Sequence, residues 1–128
     1  MAHAKAALVA FQTLGVTWSE EGGEHHLWKR IEAGDLDPGT TMDEFEALIR
    51  SVVESAASEV YADPGDLRLE GAVWVVATAS ASGAWIVKVH ADGSVRTAFP
   101  PFDPRRYLLD HGNRYIGTVR SVLAWTPS

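Results

Sequence analysis

The chain has 128 residues, of which 46% are hydrophobic and 22% charged, a composition typical of a globular protein with one domain. Because it contains no cysteine, a disulfide framework and a thiolate zinc site are excluded. The formal net charge of −6 argues against a protein that coats nucleic acid, and no apolar run approaches the roughly 20 residues of a membrane helix, so no membrane partner is expected.

Two helices are predicted in the first quarter of the chain. Apolar residues recur at helical spacing over about 3–14, and Gly15 follows as a stop signal. A second, short helix is predicted from about Glu24 to Ala33, where Gly34 closes it.

The strongest helical signal lies in the second quarter of the chain. Thr41 and Glu44 have the spacing of a capping box, in which the hydroxyl and the carboxylate satisfy orphan backbone amides. The apolar stripe that follows extends from Phe45 to Val60, and the turn residues 63–66 end it. The third helix is therefore predicted to continue to about Val60.

In the second half, helical spacing gives way to the alternation of strands. Four segments have the residue types of strands: 73–79, 84–90, 94–99 and 115–126. The second and third are joined by Asp92 and Gly93, a pair typical of a tight hairpin turn. Asp103 and Pro104 are typical of the N-cap and first position of a short helix, which extends to His111.

Long helices followed by a meander of strands are typical of the α+β class. We therefore predict N-terminal helices packed on a C-terminal antiparallel sheet of about four strands. The whole chain, 1–128, is interpreted as a single domain with a helical part over 1–62 and a mainly β part over 71–128.

Charge divides between the same two parts. Residues 1–70 contain 14 Asp or Glu and 5 Lys or Arg, a formal charge of −9. Residues 71–128 contain 3 Asp or Glu and 6 Lys or Arg, a formal charge of +3. One interpretation is an acidic, solvated helical surface beside a mildly basic sheet. The other is that the basic part, with the cations of one helix, faces a phosphate chain.

The second helix carries an unusual group of cations. Projected at about 100° per residue, one side contains His25, His26, Lys29 and Arg30. The opposite side contains the apolar residues Leu27, Trp28 and Ile31. Docking of the apolar side on the core would leave the four cations together in a cleft.

These residue types suit cleavage of RNA without a metal. The reaction needs a base for the 2′-hydroxyl, an acid for the leaving 5′ oxygen and a cation for the charge on the phosphorane. Histidine can serve as either proton carrier near neutral pH, and lysine or arginine supplies the fixed charge. The spacing alone is equally compatible with a solvated polar helix face in which the two histidines have no catalytic role.

Two segments within residues 20–100 resemble a known family. The segment from Glu20 to Ile31, EEGGEHHLWKRI, is similar to the Glu-x-x-Gly-Gly-His-Thr-Leu-x-Lys-His-Val segment of ribonuclease A-like toxin domains in bacterial contact-dependent inhibition and polymorphic toxins. The segment from Arg96 to Pro100, RTAFP, resembles that family's Thr-Ser/Ala-Tyr-Pro ending. The broader barnase/EndoU/colicin D/RelE-like nuclease group also combines helices with a four-stranded antiparallel sheet.

The resemblance implies roles for individual residues. His25 falls on the family's first catalytic histidine, Lys29 on its lysine, and Thr97 on the threonine that contacts the substrate base or phosphate. The chain departs from the family at two positions. Arg30 stands where the family has its second histidine of this helix, and Glu24 is inserted before His25.

The second proton carrier must then come from elsewhere, because arginine does not release its proton in proteins. His90 is the first candidate, since it lies on the same predicted hairpin as Thr97, and His111 is the second. His26 takes the place of His25 if the insertion shifts the helix by one position. Phosphate and RNA binding are assigned to the cations Arg30, Lys88 and Arg96.

The resemblance thus implies a toxin-type ribonuclease that needs no metal or cofactor. It would cut RNA, with tRNA as one candidate, by transesterification to a 2′,3′-cyclic phosphate. The resemblance also implies an immunity protein as a partner and a site of action in the cytoplasm, and it is compatible with delivery as part of a larger secreted toxin.

Two other classes of function remain open at this point. A non-catalytic acidic binding protein, such as an immunity or adaptor protein, would use a surface rather than a reaction. Five tryptophans could anchor such an interface: Trp18, Trp28, Trp74, Trp85 and Trp125. A metal site using His25, His26 and a carboxylate is disfavoured, because adjacent residues on a helix point about 100° apart.

Overall fold

The computed structural model describes residues 1–19, 22–63, 72–77 and 85–127. The turn predicted at 80–83, the end of the strand predicted over 73–79 and most of the turn at 63–66 lie outside the described residues. The elements in chain order are α1 (Ala2–Leu14), α2 (Glu24–Glu32), α3 (Met42–Val53), β1 (Glu59–Ala62), β2 (Val73–Val76), β3 (Ile86–Val89), β4 (Val95–Phe99), α4 (Pro104–Asp110), β5 (Arg114–Thr118) and α5 (Val119–Ala124).

The predicted α+β class is confirmed: helices pack on a five-stranded antiparallel sheet of order β4-β3-β2-β1-β5. Strands β1 to β4 form a meander, and β5 returns to pair with β1 at the opposite edge. The capping box at Thr41 and Glu44 is present at the start of α3. The hairpin turn before β4 is also present, with Gly93 at φ +88°.

Two predicted elements are wrong in extent. The third helix ends at Val53, and Val60 lies in strand β1. After Glu54 the chain turns, with the Ser58 amide donating to the Ser55 carbonyl, and the following residues pair with both β2 and β5. Because the strand is enclosed by neighbours on both edges, sheet pairing prevails over the helical spacing of its apolar residues.

The fourth strand predicted over 115–126 is a strand followed by a helix. Strand β5 ends at Thr118, whose hydroxyl accepts a hydrogen bond from the Ser121 amide at 3.2 Å. The Ser121 hydroxyl in turn lies 2.8 Å from the Thr118 amide, which completes a second capping box. This cap starts α5, and the apolar residues that suggested a longer strand pack instead as a helix.

The sheet separates two groups of buried side chains. On one side α1 and α3 cover the sheet and form the larger, apolar core, which includes Leu8, Phe11, Phe45, Ile49, Val75 and Val87. On the other side α4 packs on a smaller cluster that includes Tyr61, Trp74, Val76, Ile86 and Leu108. The longest described helix has 13 residues, and no helix in the described ranges is long and apolar enough to cross a membrane.

The segment before α2 covers part of the outer edge of β4. The Val95 amide donates to the Thr17 carbonyl at 2.7 Å, and the Val95 carbonyl accepts from the Ser19 amide at 3.0 Å. Trp18 lies between these two residues and forms a parallel bridge with Val95. Residues 17–19 therefore lie along the edge of the sheet, a few positions before α2 in the chain.

Candidate functional site

Trp18 determines where α2 begins. A Cβ atom on Gly23, the residue before the helix, would overlap the Trp18 indole, so only glycine permits this approach. The indole Nε1–H donates to the Glu46 carboxylate on α3 at 3.1 Å. Trp18 thus joins the edge of β4, the start of α2 and one face of α3.

The helix has a different orientation from the predicted one. His26 is only 9% exposed and stacks on Trp18, with ring centroids 5.0 Å apart and planes 13° from parallel, whereas Trp28 is 64% exposed. Of the apolar side, Leu27 does pack against the large core. The prediction that all four cations lie together in a cleft is wrong, because His26 is buried. The flat indole of Trp18 receives the imidazole, and this contact rotates the helix so that Leu27 and Ile31 are only half-buried.

Burial and neighbouring charges keep His26 neutral. The pKa of His26 is lowered from 6.5 to about 4, chiefly by desolvation and in smaller part by the charges of His25, Lys29 and Arg30. The imidazole of His26 is therefore uncharged at neutral pH. Its burial makes it a packing group of the helix rather than a proton carrier open to substrate.

His25 has the exposure that His26 lacks. It is half-buried, and its ring centroid lies 4.0 Å from that of His26. Its Nδ1 lies 3.2 Å from the Gly22 carbonyl, which can only accept, so this contact places a proton on Nδ1. In that tautomer Nε2 is the nitrogen that can accept a proton from a substrate.

The other end of α2 is fixed by Arg30. Its guanidinium donates to the Asp35 carboxylate at 2.9 Å and lies over the Phe99 ring, 5.8 Å from the centroid. Near its start α2 reaches Val95 through Trp18, and near its end it reaches Phe99. Thr97 lies midway between these two contacts on β4, so the middle of α2 faces the strand of Thr97.

Lys88 is next to Thr97 across the sheet but is not an open phosphate-binding cation. The two residues are register partners on β3 and β4. The Lys88 ammonium lies 2.9 Å from the Asp63 carboxylate and 5.5 Å from the centre of the Trp74 ring, and its side chain is only 13% exposed. Its charge is therefore already compensated. Arg96, also assigned to RNA, is half-buried where the register of β3 and β4 shifts.

The two candidates for the second proton carrier lie in different surroundings. His90 follows β3, is 5% exposed, and has its backbone amide bonded to the Ser94 carbonyl at 2.9 Å. His111 is exposed at the end of α4, where Nδ1 lies 2.6 Å from the Tyr107 carbonyl. Its ring also contacts that of Tyr107, which in turn contacts Phe99.

Sequence reasoning missed the partners that define this site. Trp18, Asp35 and Asp63 each contact a predicted site residue or its neighbour, yet none was assigned to the site from the sequence. One local signal was available for Trp18. A pair of glycines directly before a helix marks a position where another group approaches the backbone closely.

Among the described residues, no group of three or more His, Asp or Glu side chains is arranged to hold a metal ion. Comparison with protein-family models, curated proteins and solved structures gave no match for this chain. The chemistry proposed for the site therefore depends on its own geometry and on the resemblance of two short segments.

Proposed function

We propose that this chain is an endoribonuclease that cleaves RNA by metal-independent transesterification. The observation that carries the proposal is the packing of α2 along β4, through His26 on Trp18 and Arg30 on Phe99, because the same helix carries half-exposed His25 and exposed Lys29. The two segments that resemble the toxin ribonucleases are thus in contact through Arg30 and Phe99, although residues 32–95 separate them in the chain.

In this proposal His25 is the general base. Its Nε2 takes the proton of the ribose 2′-hydroxyl, the 2′ oxygen bonds to phosphorus, and the bond from phosphorus to the 5′ oxygen breaks. Arg30 pairs with Asp35 through one guanidinium nitrogen, and because a guanidinium has several N–H donors it can also stabilise the charge of the phosphorane from beside Phe99. The products are a 2′,3′-cyclic phosphate and a free 5′-hydroxyl.

The leaving 5′ oxygen takes its proton from the Lys29 ammonium. Residues four apart on a helix have Cβ atoms about 5–6 Å from each other, so Lys29 is beside His25 on the same side of α2. The burial of His90 disfavours it as the acid, and Lys29 is preferred to His111 because it lies on the same helix as His25. Thr97 positions the substrate from β4.

The test is incubation of the purified chain with total tRNA in EDTA, followed by mass spectrometry of the product ends. We expect 2′,3′-cyclic phosphate ends, and we expect His25→Gln to lower the rate at least about 100-fold, the usual contribution of a general base. His3→Gln is the matched control, because His3 is an exposed histidine on α1. An uncleaved tRNA pool, or equal rates for His25→Gln and wild type, would contradict the proposal.

A second set of variants tests the acid. Lys29→Arg keeps the positive charge but cannot release a proton, so we expect kcat to fall while KM stays near that of wild type. Lys29→Gln should lower kcat and raise KM. Arg50→Gln, at an exposed cation on α3, should change neither. If Lys29→Arg is fully active and His111→Gln or His90→Gln is not, that histidine is the acid instead.

A further inference from the structure

A carboxylate on α3 reaches the place where α2 meets β4. The Glu46 carboxylate accepts a hydrogen bond from the Trp18 indole Nε1–H at 3.1 Å, and both side chains are partly buried. Hydrogen bonds to a charged acceptor are stronger than those between neutral groups. Because the bond is made to one edge of the ring, it fixes the rotation of the indole as well as its position.

The edge of the indole that Glu46 binds is also the edge that supports the start of α2. A Cβ atom on Gly23 would overlap Nε1 and Cε2 of Trp18, so the backbone of buried Gly23 lies directly against the atom that donates to Glu46. The same ring stacks on His26, with centroids 5.0 Å apart. A rotation of the indole would therefore displace the backbone at Gly23.

The peptide that ends at Gly23 carries the carbonyl that contacts the proposed base. This is the Gly22 carbonyl, whose oxygen lies 3.2 Å from Nδ1 of His25. Gly22 has a φ of +66°, a conformation that glycine adopts without strain. The hydrogen bond made by one imidazole nitrogen decides which of the two nitrogens carries the proton. The tautomer of His25 therefore depends on where the peptide between Gly22 and Gly23 is held.

We propose that Glu46 and Trp18 are positioning residues for His25. Glu46 fixes the indole, which in turn supports the backbone at Gly23. The Gly22 carbonyl then holds the proton of His25 on Nδ1, so that Nε2 is the nitrogen that takes the proton of the ribose 2′-hydroxyl. The catalytic part of this inference rests on the proposed ribonuclease function, whereas the effect on the tautomer does not.

The first measurement therefore needs no RNA. NMR spectra that correlate the ring nitrogens and protons of histidine, recorded at about pH 8.5 where an ordinary histidine is neutral, report which nitrogen carries the proton. We expect the Nδ1–H tautomer for His25 in the wild-type chain and a large population of the Nε2–H tautomer in Glu46→Ala. Glu46→Gln should keep the wild-type tautomer, because its amide oxygen can still accept from Trp18. His25→Gln assigns the signal.

The second measurement is the rate of tRNA cleavage. Because Glu46 acts on the base rather than on RNA binding, Glu46→Ala should lower kcat on the order of tenfold and change KM by less than about twofold. Glu46→Gln should restore most of the rate. Glu54→Ala is the matched control, since Glu54 is an exposed carboxylate at the end of α3, and it should change neither the tautomer nor the rate.

A variant of the indole tests the same contact from its other side. Trp18→Phe keeps a ring against His26 but has no N–H to donate, so we expect it to shift the tautomer of His25 and to lower kcat as Glu46→Ala does. The double variant should lose no more activity than Trp18→Phe alone, because both changes remove one hydrogen bond. Thermal melts check that each variant is folded, and Trp18→Phe replaces Glu46→Ala in the comparison if the latter is not.

The outcomes separate this inference from the proposed function. An unchanged tautomer of His25 in folded Glu46→Ala and Trp18→Phe would overturn the inference, whatever the activity. A loss of activity that Glu46→Gln does not restore, or that is seen in KM alone, would also overturn it. A tautomer that shifts as expected in a chain that does not cleave tRNA would support the contacts from Glu46 to His25 and reject the ribonuclease function.

Discussion

The large core between the sheet and helices α1 and α3 differs in kind from the corner where α2 meets β4. The large core consists of apolar side chains such as Leu8, Ile49 and Val87, so its stability depends on volume and packing. The α2–β4 corner, defined by Trp18, His26, Arg30 and Phe99, holds ionisable groups against aromatic rings. Its stability therefore depends on protonation and charge, and this difference can be tested directly.

The largest effect is expected in the large core. Ile49 is 0% exposed, and Ile49→Ala would leave a cavity that the surrounding side chains fill only in part. We expect the free energy of unfolding to fall by about 4 kcal/mol, by the same amount at pH 7.5 and pH 5. Urea denaturation at the two pH values measures this. A loss that differs between them by more than about 1 kcal/mol would contradict the division between the two regions.

The next effect is a pH dependence that arises in the corner. The pKa of His26 is lowered from 6.5 to about 4 in the folded chain, so between these values the unfolded chain binds more protons. The contribution of neutral His26 is fully present above pH 6.5 and is lost as pH falls towards 4. We expect the free energy of unfolding to fall by about 3 kcal/mol as the pH is lowered from 6.5 to 4.

His26→Phe is the control for this prediction. Phenylalanine can keep the stack on Trp18 but has no proton to bind, so the variant should lose less stability than wild type between pH 6.5 and pH 4. Urea denaturation at several pH values compares the two chains. Parallel stability curves would mean that His26 is not the group responsible.

A smaller effect tests the contact that positions α2. Gly23 has a negative φ of −77°, which any residue can adopt, so the consequence of Gly23→Ala is steric alone. Because the added methyl group must displace the Trp18 indole, we expect the free energy of unfolding to fall by about 2 kcal/mol. Gly39→Ala is a suitable control, since no atom lies within 4 Å of the position of its Cβ. Equal stability of the two variants would show that Trp18 moves aside without cost.

The smallest effect concerns the ion pair at the end of α2. The side chains of Arg30 and Asp35 are about one quarter exposed, so salt partly screens their attraction. We expect Asp35→Asn to lower the free energy of unfolding by about 1 kcal/mol at low salt and by less at 1 M salt. The loss from Ile49→Ala should not diminish with salt in this way. Urea denaturation at the two salt concentrations gives the comparison, and a cost for Asp35→Asn that grows with salt would contradict an electrostatic role.

Local signals in the sequence were sufficient for the helices whose ends they mark. The capping box of Thr41 and Glu44 and the stop at Gly15 act within a few residues, and both α1 and the start of α3 are where the sequence predicted them. The end of α3 was not predictable in this way. Val60 fits the helical stripe by spacing, but its place in β1 depends on two partner strands distant in the sequence.

The same limit applies to the candidate site. The position of α2 in the chain followed from the sequence, but its rotation depends on Trp18, which precedes it in a loop with no periodic pattern. Likewise, nothing near Lys88 in the sequence indicates that Asp63 neutralises it. Local spacing identified residues capable of chemistry, whereas contacts between distant segments determine which of them are open to a substrate.

The bridge between Trp18 and Val95 has a consequence for how this molecule behaves at high concentration. Edge strands with unpaired amides and carbonyls are templates on which other chains can add strands and begin to aggregate. Thr17 and Ser19 occupy both backbone hydrogen-bonding groups of Val95, so an incoming chain cannot pair at that point of the exposed border. The short segment that leads into α2 therefore also shields the sheet against intermolecular growth.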